Sequence, residues 1–112
     1  MELIEWQDFE KVELRVGTVI SAKNNDSARK RAYILEIDFG PAIGIKKTSA
    51  QIADHYKLDD LIGKQIVGVV NFPPKQIGKM ISEVLVTGFP DAEGKVVLCS
   101  PDIQVPNGSK LF

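Results

Sequence analysis

Ala32-Tyr33-Ile34-Leu35-Glu36-Ile37-Asp38-Phe39 alternates with a period of two. Tyr33, Leu35, Ile37 and Phe39 fall on one face, and Ile34, Glu36 and Asp38 on the other, the pattern of a strand with one buried side. Gly40-Pro41 ends it in a turn. Upstream, Glu13 to Ala22 reads as a strand with Leu14, Val16, Thr18 and Ile20 on one face. Gly17 inside it marks a bulge or a sharp bend. The cluster Asn24-Asn25-Asp26-Ser27 is a turn between the two. Asp8 to Lys11, after Trp6, forms a short helical turn.

Downstream, Ile43 to Thr48 reads as a third strand with Ile43 and Ile45 inward. Ser49 is placed to cap a helix, since Ile52, Ala53 and Tyr56 keep helical spacing. Leu58 to Gly63 adds a second short turn ending at glycine. Gln65 to Asn71 is an apolar strand buried on both sides, stopped by Phe72-Pro73-Pro74. Ser82 to Thr87 is a fifth strand. Asp91 to Gly94 turns the chain into Val96 to Cys99, and Pro106-Asn107-Gly108-Ser109 is a last turn. The elements predict a mostly β chain forming one domain over residues 1–112. They fit a five-stranded barrel with a helix between strands 3 and 4 and short terminal extensions, the layout of the OB barrel. An SH3-like barrel or another small α+β barrel fits the same pattern.

The 112 residues carry 14 basic and 15 acidic side chains, for a net charge of −1. This balance argues against nucleic-acid binding by bulk charge alone. Its distribution is uneven. Residues 23–47 and residues 64–79 are net basic, and the stretches around them are net acidic. A fold that brings the two basic blocks together places a positive face on a neutral body. One cysteine and one histidine leave no internal disulfide, no cysteine-based zinc site and no multi-histidine metal site. No cofactor is expected. The acidic start Met1-Glu2-Leu3-Ile4-Glu5-Trp6 does not read as a signal peptide, and no apolar run has membrane-spanning length. The expectation is a cytoplasmic protein without membrane insertion.

No catalytic signature is visible, so the chain does not read as an enzyme. Gly40-Pro41-Ala42-Ile43-Gly44 lacks the lysine and the strand-to-helix context of a phosphate loop. His55 has no nucleophile motif beside it and reads as a surface or packing residue. Cys99, in Val96-Val97-Leu98-Cys99, reads as a small hydrophobe. Trp6 with Phe9 serves either as a plug on the core or as an intersubunit anchor.

The informative stretch is Asn71-Phe72-Pro73-Pro74-Lys75-Gln76-Ile77-Gly78-Lys79-Met80-Ile81-Ser82-Glu83. Asn71, Lys75, Gln76, Lys79 and Ser82 supply donors. Phe72, Ile77, Met80 and Ile81 are too many apolar residues for an idle loop, and the prolines lower the entropy cost of ordering it on a partner. Such a loop suits contact with phosphate and base, or with an extended peptide.

Two segments carry a resemblance. Val12-Glu13-Leu14-Arg15-Val16-Gly17-Thr18-Val19 resembles the opening strand of the tRNA-binding domain found on some aminoacyl-tRNA synthetases. Asn71 to Glu83 resembles that domain's loop. Phe39-Gly40-Pro41, Ile43 to Lys47, Ser49 to Ile52, Val70 to Pro74 and Val105 to Gly108 are similar to the CsaA-type chaperones, stand-alone members of that domain family. Asn25-Asp26 and the early glycine Gly78 depart from the family pattern. The resemblance implies an OB-fold homodimer whose partners are non-native or precursor polypeptides, tRNA and its own second copy. It implies tRNA contacts from Arg15, Lys46, Asn71, Lys75, Gln76, Lys79 and Ser82. Peptide contacts would come from Phe72, Ile77, Met80 and Ile81. Dimer contacts would come from Trp6, Phe9, Val105 and Phe112. A tRNA-binding protein without a chaperone role is the alternative.

Overall fold

A computed structural model describes residues 1–112. Its elements are α1 (Trp6–Glu10), β1 (Leu14–Asn24), β2 (Tyr33–Asp38), β3 (Ile45–Ala50), α2 (Leu58–Leu61), β4 (Gln65–Val69), β5 (Lys75–Ile77), β6 (Met80–Ser82), β7 (Leu85–Val86), β8 (Gly88–Pro90) and β9 (Val96–Leu98). Five strands form an antiparallel sheet in the order β3-β2-β1-β4-β7. It curls into a nearly closed barrel of the OB type. The hairpins β5–β6 and β8–β9 form two separate two-stranded sheets that pack against it.

The curl begins in β1. Its first half pairs with β4 and its second half with β2. The register slips between Val19 and Ser21, leaving Ile20 as an extra residue. This bulge corrects the expected face: Ile20 points out, 44% exposed, while Val19 is fully buried. Gly17 is not the bulge. A Cβ there would stand 2.6 Å from Ile37 and 2.8 Å from the Phe39 ring, so the glycine makes room for the core. Where β2 no longer reaches, the C-terminal segment takes its place beside β1. The Val16 N–H donates to the Ser109 carbonyl, and the Gly108 and Leu111 N–H groups donate to the carbonyls of Val16 and Leu14.

The alternation over Ala32 to Phe39 holds as expected. Tyr33, Leu35, Ile37 and Phe39 are all buried, packed with Val19, Ile52, Leu61, Ile66, Val84 and Leu98. Of the two residues expected inward around β3, Ile43 packs against the core and Ile45 does not. Ile45 is 54% exposed, and the buried residue of this strand is Thr48. Thr48 is inward because its hydroxyl has partners there: it donates to the Val84 carbonyl at 2.7 Å and shares a 2.6 Å hydrogen bond with the Ser82 hydroxyl. Beside it, the Glu83 N–H donates to the Lys47 carbonyl at 2.8 Å, and the Glu83 carboxylate accepts from the Lys47 N–H at 3.0 Å. These bonds close the barrel between its two terminal strands.

The expected helix over Ser49 to Tyr56 is not formed. Ser49 belongs to β3, and residues 53–55 form a single turn within an irregular stretch. Ile52 and Tyr56 reach the core without helical geometry because Tyr56 is held at both ends: its carbonyl accepts from the Tyr33 hydroxyl, and its own hydroxyl accepts from the Leu98 N–H. The helix between strands 3 and 4 is α2, four residues long. Like α1, it is fixed at its start by an aspartate: Asp60 accepts the Lys57 N–H, as Asp8 accepts the Glu5 N–H. The expected strand Ser82 to Thr87 is interrupted at Glu83 and Val84, which turn to meet β3. Neither helix is long and apolar enough to cross a membrane.

Thr48→Val keeps the volume but leaves the buried Val84 carbonyl without this donor. Stability in urea denaturation is expected to fall by about 1–3 kcal/mol. A loss below about 0.5 kcal/mol would show that the barrel does not depend on this bond.

Candidate ligand-binding surface

Beyond Thr48 the two terminal strands part. A groove of about 700 Å³ opens between them. One wall is the end of β3 with residues Gln51 and Ile52, and the other is Val84 to Val86 with Val96. The stretch between β4 and β6 covers one end, contributing Phe72, Pro73, Lys75 and Ile77, with Ser82 and Glu83 at the base. Phe72 is 55% exposed, a large apolar side chain standing at the mouth.

The informative stretch is thus not an open loop. Lys75 pairs with Ser82, Gln76 with Ile81 and Ile77 with Met80, and Gly78-Lys79 makes the two-residue turn. Gly78 has φ +65° and no non-glycine residue has positive φ, the arrangement of a II′ hairpin turn. The tip rests on the β1–β2 connection. The Lys79 N–H donates to the Ser27 hydroxyl at 2.9 Å, and a Cβ on Gly78 would lie 2.5 Å from that same oxygen. Ser27 is held by Asn25, whose side-chain carbonyl accepts from both the Ser27 N–H and hydroxyl. Asn25 is buried, and its amide donates to Ser49 of β3. The departures Asn25 and Gly78 therefore serve one contact, the junction of the two loops.

That junction joins the two basic blocks. Arg29, Lys30 and Arg31 are exposed on the β1–β2 connection, and Lys75 and Lys79 are exposed on the hairpin. None of the five ion pairs includes any of them. Arg29, Lys30 and Arg31 were not singled out by sequence; the Arg-Lys-Arg run was the available signal.

Other expected contact residues have local partners. Arg15 binds the Glu13 carboxylate at 2.6 Å and the Gly108 carbonyl at 3.0 Å. Lys110 holds the second Glu13 oxygen at 2.8 Å. The hydrogen bond from Lys110, then that from Arg15, holds the Glu13 carboxyl below its ordinary range. The cluster pins the C-terminal segment to β1. Asn71 spans Glu13 and Lys11, Ser82 belongs to the barrel seam, and Gln76 donates to the Gly78 carbonyl across the turn. Lys46 is half-buried in β3. Ile81 is exposed and Met80 half-buried, and neither lines the groove. Trp6 is 63% exposed and stacks on half-buried Phe9 at 5.4 Å. Phe112 is fully exposed, whereas half-buried Val105 is clipped to the Gln65 side chain through its N–H and carbonyl. His55 contacts Asp91 at 2.6 Å, which joins the 53–55 turn to the β8–β9 hairpin and holds the Asp91 carboxyl low.

A curled five-stranded sheet with a loop hairpin and a basic connection at one end defines an OB-type binding module. Residues 14–110 match the family model described as a tRNA binding domain, so the chain belongs to the tRNA-binding domain family. Among solved structures, the chaperone CsaA of Bacillus anthracis str. Ames is 48% identical, with TM-score 0.92 over 99% of this chain and 100% of that one. The CsaA chaperone protein of Picrophilus torridus is also 48% identical, with TM-score 0.91 over 98% of this chain and 100% of that one. The methionine–tRNA ligase of Flavobacterium johnsoniae is 31% identical over 98% of this chain, which spans only 15% of the ligase.

Gly78→Ala forces a side chain against Ser27 in a backbone conformation that disfavours it. We expect a loss of more than about 1 kcal/mol in urea denaturation. An unchanged midpoint would show that the tip is not fastened to the β1–β2 connection.

Proposed function

We propose that this protein is a homodimeric CsaA-like chaperone that holds non-native or export-bound polypeptides in the groove and retains a capacity for tRNA. The observation that carries the reading is the groove itself, open, with one wall apolar (Val84 to Val86 and Val96), the other mixed, and Phe72 and Ile77 at one end. The full-length likeness to two chaperones of the same size supports it. Unfolded chains offer the apolar side chains such a groove buries, worth roughly 1.5–3 kcal/mol for each large one. A denatured client should aggregate less when the dimer is near-stoichiometric, and the effect should persist at high salt. No suppression of light scattering would count against the role.

A specific observation supports the tRNA capacity: five unpaired cations stand on adjoining loops of a tRNA-binding domain. The contacts would be to phosphate, with selectivity from shape. Lys79 and Lys75 lead, and Arg29, Lys30 and Arg31 extend the surface. Lys79→Ala should reduce the slope of log affinity against log salt by about one unit or slightly less. Unchanged slopes for both Lys75→Ala and Lys79→Ala would remove the hairpin from the interface.

The second copy would cover the apolar residues left bare at the chain ends: Leu3, Ile4 and Trp6 on one side, Leu111 and Phe112 on the other. Lys110 ties these ends together through Glu10 and Glu13. Trp6→Ala is expected to yield monomer in sedimentation at concentrations where the parent chain is dimeric. A variant still dimeric at nanomolar concentration would exclude Trp6 as an anchor.

A further inference from the structure

We infer that the polypeptide held in the groove binds as an added β-strand, paired through its backbone to the free edge of β3 at Ser49. This rests on the proposed peptide-binding role and specifies the form the client takes there. The walls of the groove are the two ends of the sheet: β3 and β7 each have one strand partner and one bare edge. Lys47 directs both its backbone groups to the bare edge of β3, where Glu83 takes them. Successive outward-facing rungs lie two residues apart. Ser49 therefore presents its N–H and carbonyl on the same edge, and it lines the groove. On the opposite wall the Thr87 N–H donates to Val67 in β4, and Leu85 is in register with Val69. Val86, between them, turns its backbone groups away from β4 and also lines the groove.

The chain itself thus fills the first rung of this edge with Glu83; at the next, the Ser49 carbonyl has only a long 3.4 Å contact from the Thr48 hydroxyl. Exposed edges are sites of strand addition. A strand laid there continues the ladder that Glu83 begins, and its alternate side chains meet Ile52, Phe72, Ile77 and Leu85. The occupant is an extended segment with apolar residues at every second position, recognised by backbone and not by sequence. That chemistry suits a protein that must accept many clients.

The test uses a capped heptapeptide of alternating threonine and valine and two versions N-methylated at alternate residues, one for each parity. N-methylation removes the donors of one strand edge and keeps the side chains. The full-length protein should bind the unmodified peptide, and at least one methylated version should bind about tenfold or more weakly. Amide hydrogen exchange at Ser49 should slow on binding. If both methylated peptides bind within twofold of the parent, strand addition is wrong while peptide binding stands. If the parent peptide does not bind at millimolar concentration, both readings fail.

Discussion

The hydrogen bond from the buried Thr48 hydroxyl to the Val84 carbonyl fixes where this sheet stops being a barrel and starts being a groove. Together with the Lys47–Glu83 pairing it ties the two terminal strands at one level only. On one side of that level lies the packed core of Leu35, Ile37, Phe39 and Ile66, each almost fully buried. On the other side the strands diverge, and their bare edges become the walls of the groove. A buried hydroxyl is tolerated because it is hydrogen-bonded, to the Val84 carbonyl and the Ser82 hydroxyl. The same atoms that stabilise the fold thereby define the site.

The stretch from Asn71 to Glu83 has two working sides. Phe72, Lys75 and Ile77 turn toward the groove, while Gly78 and Lys79 turn toward Ser27 and the Arg29–Arg31 run. A hydrogen-bonded line connects the two: Ser49 on the groove wall, buried Asn25, Ser27, and the Lys79 backbone. The proposed peptide and tRNA surfaces are therefore adjacent and meet at Lys75, built on one hairpin whose position is set by the β1–β2 connection.

Much of the fold was legible in the sequence where neighbours on the chain decide the outcome. The alternation of Tyr33, Leu35, Ile37 and Phe39 needed only the pleat, and the apolar run from Gln65 marked β4, which ends at Val69, two residues short of the expected Asn71 and ahead of the prolines. What was not legible depends on partners distant in the chain. Thr48 lies inside because of Ser82 and Val84, more than thirty residues away, so Ile45 was assigned the wrong side. Ile52, Ala53 and Tyr56 match a helix by spacing, but Tyr33 and Leu98 hold Tyr56 in irregular chain. At the site, the cationic and apolar content of the hairpin was legible, while its folding into paired strands was not. The engagement of Arg15 had a signal that went unused: Glu13, two residues away, lies on the same face of a strand.

The central claim is that one hairpin separates a peptide groove from a basic surface. Amide chemical-shift mapping of the full chain, titrated separately with an unfolded client and with tRNA, tests it most directly. The account predicts that the client shifts Ser49 to Ile52 and Leu85 to Val86, and that tRNA shifts Arg29 to Arg31 and Lys79. Two ligands shifting one common set of residues, or a client that leaves both groove walls unchanged, would contradict it.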